Sequence, residues 1–115
     1  VGAGQAGIAM SEHLSAYGIP HVVLERDRIA ERWRSGRWDS LVANGPAWHD
    51  RFPNREFASA PDGFPGKEEV ADYMVAYARQ IAAPIRCGES CGIPTDWAMR
   101  SAVRNPIPYT SSARR

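Results

Sequence analysis

Three glycines near the start of the chain have a spacing suited to phosphate chemistry: Gly2, Gly4 and Gly7, in the run Val1-Gly2-Ala3-Gly4-Gln5-Ala6-Gly7. A G-x-G-x-x-G run carries meaning when a helix follows it and a second strand ends in an acid. In that setting Gly2 permits the tight turn out of a first strand, where a side chain would clash. Gly4 lets the backbone approach a pyrophosphate, and Gly7 lets the helix lie near the strand. The helix start at Gln5 and Ala6 offers free N–H groups and a partial positive charge to the phosphates. Glu25 follows Gly7 at close to the ~20-residue interval of a ribose-binding acid, and would accept hydrogen bonds from a hydroxyl pair. A carboxylate there repels a 2′-phosphate, which argues against NADP in this particular site. The competing reading is a glycine-rich turn with no ligand, and the agreement of glycines, helix, strand and acid weighs against it.

These residues need elements to hold them. Ala6, Met10, Leu14 and Tyr17 recur at helical spacing, with Gly18 as a stop and Pro20 just beyond. His21-Val22-Val23-Leu24 reads as a strand ending at Glu25. The strand before the glycines is cut to Val1. From Asn44 to Gly66 the chain is rich in Pro, Gly, Asn and Asp without a sustained period, a long connection of the kind that serves function or is disordered. From Lys67 the pattern turns helical, and Val70, Tyr73, Met74, Tyr77 and Ile81 form a stripe that reads as core rather than as a binding surface. Pro84 ends that helix, and Ile85-Arg86-Cys87 begins a third strand beside the second. The fold class is α/β.

The glycine fingerprint serves FAD and NAD alike. The next segment separates them: Val22-Val23-Leu24-Glu25-Arg26, then Glu31-Arg32-Trp33-Arg34 and Arg37-Trp38-Asp39-Ser40-Leu41, then the turn Asn44-Gly45-Pro46. With Asp62-Gly63-Phe64-Pro65-Gly66-Lys67, this resembles the flavin-containing monooxygenase-like FAD/NAD(P)-dependent oxidoreductases, relatives of the Baeyer–Villiger monooxygenases. The resemblance runs from Val1 to Cys87. It implies a Rossmann-type FAD-binding βαβ unit with a truncated first strand, the FAD pyrophosphate at Gly2, Gly4, Gln5, Ala6 and Gly7, and the adenosine ribose at Glu25 and Arg26. It implies flavin-side contacts for Trp33 and Arg34, and a place for Asn44 near the isoalloxazine ring. Related enzymes often carry Gly-Gly before the tryptophan, where this chain has Glu31-Arg32. The implied activity is NAD(P)H-dependent, FAD-mediated oxygenation of a soft nucleophile or a ketone, the flavin supplying the chemistry and no residue here serving as acid or base. The fingerprint for NADP, a second G-x-G-x-x-G, is absent from these residues. The chain thus reads as the FAD-binding N-terminal fragment of a flavoprotein monooxygenase and not a competent enzyme by itself. The alternatives are an NAD-binding fragment of a dehydrogenase, or a truncated piece with no independent activity.

Other residues have plainer readings. Trp38 and Trp48 are expected to fill a crevice under the long loop, and Arg32, Arg34 and Arg37 to form a solvated face with cation–π packing. The Arg–Trp mixture also suits nucleic acid, but Glu25, Asp27, Glu31 and Asp39 would oppose a phosphate backbone, and a net charge of +1 offers no basic footprint. His13 is expected on a helix surface, and His49 beside Asp50 as a loop contact, since no nucleophile accompanies the pair. No metal site is read. Cys87 and Cys91 have neither redox nor zinc spacing and read as unpaired thiols, in keeping with a cytoplasmic setting. A small-molecule substrate is the implied partner, with neither nucleic acid nor membrane. At 115 residues and 43% hydrophobic, the chain is globular and one domain at most. The division expected is a partial FAD-binding domain over 1–87 and an irregular tail over 88–115, its character that of a shifted reading frame.

Overall fold

The computed structural model describes residues 1–88. The tail beyond them and Cys91 lie outside the described residues. Four helices and two strands follow in the order α1 (Gln5–Ala16), β1 (Val23–Glu25), α2 (Glu31–Arg34), α3 (Ala47–Asp50), α4 (Lys67–Gln80) and β2 (Ile85–Cys87). The strands pair in parallel, Val23 opposite Ile85 and Glu25 opposite Cys87, as the sequence predicts for its second and third strands. A parallel pair requires a crossover, and α2 to α4 supply it. Ahead of α1, the Gly2 N–H donates to the Leu24 carbonyl at 2.7 Å, so the glycine loop enters alongside β1.

The core is built on α4, whose predicted stripe is buried at Val70, Tyr73, Met74 and Tyr77, with Ala71 and Ala78 beside it. The long connection covers this face. Phe52 stacks on Tyr77 at 4.4 Å between centroids, and Phe57 on Tyr73 at 3.8 Å. The Tyr73 hydroxyl accepts the Phe52 N–H at 2.6 Å and donates to the Arg55 carbonyl at 2.9 Å, which seals the loop to the helix. Burial holds the Tyr73 phenol above its ordinary pKa. The Tyr77 hydroxyl is buried without a hydrogen-bond partner among the described residues. Burial, reinforced by the Glu12 carboxylate, pushes its pKa up to about 12. Each large side chain buried here contributes roughly 1.5–3 kcal/mol.

The first helix forms where the sequence predicts but turns a different face inward. Met10 is 58% and Tyr17 81% exposed, while Ile8 and Ser11 are buried. The reason lies in approach distance. Gly7 is the residue through which α1 comes close to the loop and β1, and Ser11, one turn later, shares that face. Ser11 tolerates burial because its hydroxyl bonds to His21 Nε2 at 2.7 Å, the other ring nitrogen donating to the Ile19 carbonyl. The helix ends as predicted at Gly18, with φ +65 and bonds from Gly18 and Ile19 N–H back to Ser15 and Leu14. Trp38 and Trp48, expected to fill a crevice, are instead 63% and 55% exposed. Trp38 lies in a surface loop and Trp48 on the exposed side of α3, and among the described residues no second layer covers them.

Candidate functional site

Where the glycine loop leaves β1, the backbone opens on a cleft of about 1080 Å³. Gly2, Gly4, Gln5, Ala6 and Gly7 form one wall, Glu25, Arg26 and Asp27 one end, and Arg32, Trp33, Arg37, Trp38, Leu41, Val42 and Asn44 the opposite side. Nine of the ten residues read from sequence as cofactor-binding therefore meet in one cavity. The tenth, Arg34, does not line it.

The glycines play distinguishable parts. Gly2 sits at φ +89 with no atom within 4 Å of where a side chain would begin. Its requirement is thus the left-handed backbone, and the clash expected from sequence is absent. At Gly7 a Cβ would collide with the Gly2 carbonyl oxygen and come within 3.0 Å of its carbon. This confirms the close approach, although the nearest obstacle is the loop backbone, with Val23 of β1 further off. Gly4, at the N-cap of α1, has open space where a Cβ would be and no positive φ. Among the described residues nothing demands glycine there. The first α1 amide to find its helical partner is Ile8, which donates to the Gly4 carbonyl at 3.0 Å. The amides before it have no intrahelical partner, as at any helix start.

Glu25 closes the end of the cleft. Its Oε2 accepts the Ala3 N–H at 2.6 Å and its Oε1 the Asp27 N–H at 2.9 Å. Each carboxylate oxygen keeps a further lone pair for a hydroxyl. The acid therefore holds the glycine loop in place as well as facing the cavity, a role the sequence does not disclose. Arg26 beside it pairs with Asp27 at 3.0 Å on the surface.

The far side carries two arginines, Arg32 and Arg37, exposed as expected of a solvated face and also lining the cleft. The Arg37 guanidinium lies 5.6 Å from the centre of the Trp33 ring, and Trp33 is half-buried against the core. Neither Arg32 nor Arg37 takes part in an ion pair among the described residues, so their charge is available to the cleft. Their neighbours are committed elsewhere. Arg34 reaches away to α4, bonding Glu68 at 3.2 Å and Asp72 at 2.7 Å. In the structure Arg34 is therefore engaged by the two carboxylates that α4 offers, while its neighbour Trp33 lines the cleft. Glu31 binds Arg28 through two bonds, of 2.6 and 3.0 Å, and that guanidinium keeps the Glu31 carboxyl below its ordinary pKa. Asp39 pairs with Lys67 at 2.6 Å, which likewise lowers its pKa and ties the segment to the start of α4. The signal for Arg32 and Arg37 was present as arginines flanking tryptophans with no acid at helical spacing to absorb them.

Beneath the Asn44 end lies a smaller cavity of about 80 Å³, lined by Gln5, Trp33, Asn44, Asp50, Phe52 and Met74 among others. It shares Gln5, Trp33 and Asn44 with the main cleft. His49, as expected, makes a loop contact, its Nδ1 lying 2.8 Å from Asp50 Oδ1. Among the described residues no cluster of His, Cys, Asp and Glu could hold a metal, and no helix is long and apolar enough to cross a membrane.

Comparison with known proteins relates a stretch of the chain to oxidoreductases and flavin monooxygenases. The chain is 38% identical over 86 residues to an uncharacterized CzcO-like oxidoreductase of Geobacillus kaustophilus, covering 74% of this chain and 24% of that protein. It is 38% identical over 79 residues to a probable indole-3-pyruvate monooxygenase, YUCCA1, of Arabidopsis thaliana, covering 68% of this chain and 19% of the relative. The chain thus spans about a quarter or less of the curated relatives it matches. A flavin-containing monooxygenase from Stenotrophomonas maltophilia shares the fold, with a TM-score of 0.59 at 24% identity over 74% of this chain and 26% of that one. No family model matches the chain.

Proposed function

Given that the chain belongs, over the matched stretch, to the flavin-containing monooxygenase-like FAD/NAD(P) oxidoreductases, we propose that residues 1–87 are a Rossmann-type FAD-binding unit and that the cleft is its FAD site. The pyrophosphate lies against the α1 N-terminus at Gly4 to Gly7, where free amides and the helix dipole favour an anion. The adenosine ribose bonds to Glu25, with Arg26 beside it. The flavin runs toward Trp33 and Asn44. Arg32 and Arg37 offset the two phosphate charges.

The observation that carries this reading is the open space over Gly4. Among the described residues nothing lies where a Cβ at Gly4 would sit, at the point where a pyrophosphate must approach the backbone most closely. Bound FAD would supply the redox chemistry of an NAD(P)H-dependent oxygenation of a small molecule. The chain's own residues bind it, orient it and exclude water from it.

Titrating the full chain separately with FAD and with NAD tests this. FAD is expected to bind with a perturbed visible spectrum and quenched flavin fluorescence. Retention of NAD with no affinity for FAD would support a dehydrogenase fragment instead, and binding of neither would overturn the proposal.

A further inference from the structure

Asn44 stands at the junction of the two cavities, and the chain on both sides of it is tied down. Before it, the Ala43 N–H donates to the Pro65 carbonyl at 2.8 Å. After it, the Gly45 N–H donates to Asp50 Oδ2 at 2.9 Å, across a turn that brings α3 back beneath the segment. The other carboxylate oxygen of Asp50 is engaged by His49 Nδ1 at 2.8 Å, so the group is held at both ends. Independent bonds anchor α3, from Ala47 N–H to the Gly63 carbonyl at 2.8 Å and from Trp48 N–H to that of Pro61 at 3.1 Å. A side chain at position 45 would have to push the Asp50 carboxylate aside. A Cβ there would stand 2.7 Å from Asp50 Oδ1 and 3.0 Å from His49 Nδ1.

From this geometry we infer that Asp50, braced by His49, is a positioning residue that fixes the Asn44–Gly45 turn and so presents the Asn44 amide to the flavin end of the cleft. The inference rests on the FAD reading for what Asn44 faces, and on this chain's own bonds for how it is held. An amide donating to a carboxylate makes a charge-assisted bond about twice as strong as a neutral one. A polar group meant to act on a cofactor needs its backbone fixed this way, because a misplacement of about 1 Å costs most of the interaction. Asp50 itself lines the smaller cavity and not the main cleft. Its influence therefore passes through Asn44.

The test compares Asp50→Ala, Asp50→Asn and Gly45→Ala in the full chain by two readouts. One is NMR of the Gly45 backbone amide and the Asn44 side-chain amide without ligand. The other is the visible spectrum of FAD added to the protein. Asp50→Ala is expected to raise Gly45 amide exchange by roughly tenfold or more, to shift the Asn44 amide resonances, and to move the flavin band with a smaller change in Kd. Asp50→Asn keeps an acceptor and is expected to restore most of the wild-type signature, while Gly45→Ala reproduces the defect. If Asp50→Ala fails to fold, the other two variants carry the same readouts. Asn44 resonances and a flavin band unchanged in the variants, with only a uniform loss of stability, would overturn the inference. If the wild-type chain binds no FAD, the FAD reading falls, and the Asn44 resonances still decide whether Asp50 positions that residue.

Discussion

The two longer helices of this molecule are organised on opposite terms. α4 buries six of its fourteen residues beneath stacked Phe52 and Phe57, and the covering loop is closed by two bonds to one tyrosine hydroxyl. α1 buries two of its twelve, shows Met10 and Tyr17 to solvent, and begins at a loop whose glycines face an open cleft. The contrast separates two uses of small residues. Ala71 and Ala78 are small and buried within the core. Gly4 is small with nothing packed against it, which makes the space itself the feature. Stability is concentrated around α4, and the proposed recognition around the start of α1.

Substitutions on either side should break that partition in different ways. The largest effect is expected at Tyr77. Tyr77→Ala should cost about 3–5 kcal/mol in chemical denaturation through the cavity it leaves, while the fraction still folded keeps its affinity for FAD. Tyr77→Phe removes only a buried hydroxyl with no partner, and should leave stability unchanged or raise it by up to about 1 kcal/mol. The two proteins then diverge in alkali. Between pH 10, where the unfolded chain ionises Tyr77, and about 12, where the folded chain does, wild-type stability falls. The contribution from this group should be missing in the Phe variant, and parallel pH profiles would contradict the assignment.

The glycine pair gives the sharper comparison. Gly7→Ala pushes a methyl group into the Gly2 carbonyl and should cost roughly 1–3 kcal/mol by overpacking, measured as a lower unfolding midpoint. Gly4→Ala meets no protein atom, and its unfolding midpoint should barely move, yet FAD affinity should fall about tenfold or more, since a factor of ten is worth only about 1.4 kcal/mol of lost phosphate contact. Equal losses of stability at both positions would erase the distinction. The smallest effect belongs to the arginines. Arg34→Ala breaks an exposed link to α4 worth about 0.2–1 kcal/mol and should leave FAD binding intact, whereas Arg37→Ala should weaken binding with little change in stability. The reverse outcome in an FAD titration would return Arg34 to the site.

What the sequence disclosed and what it hid follow from the range of the forces involved. The α4 stripe, the pairing of Ile85–Cys87 beside β1 and the stop at Gly18 were legible because each rests on a local period or a single-residue backbone preference. The inward face of α1 was not. Its apolar spacing pointed to Ala6, Met10, Leu14 and Tyr17, but close approach at Gly7 and a bond between Ser11 and His21 decided the matter, and neither leaves a hydrophobic trace. The membership of the cleft was legible in the fingerprint and in the Trp-Arg segment, with the exception of Arg34. Its direction depended on Glu68 and Asp72, which lie far along the chain. Arg32 and Arg37, read as a solvated face with cation–π packing, are exposed and Arg37 lies over Trp33; that they also line the cleft was hidden, because charge next to tryptophan looks the same whether it faces water or a cavity. Trp38 and Trp48 illustrate the same ambiguity from the apolar side.

The bonds from Glu25 and the parallel register of β1 with β2 together have a consequence in time. Glu25 orders the glycine loop, and Glu25 is itself aligned by pairing with Cys87, at the far end of the described chain. Contacts between residues so distant in sequence form late, after the entropy of closing the intervening loop has been met. The cleft wall at the beginning of the chain therefore takes its final shape only after the strand at the far end has docked. During synthesis these glycines emerge well before the strand that completes their alignment, and a ligand that recognises the completed wall draws the folding equilibrium forward by mass action.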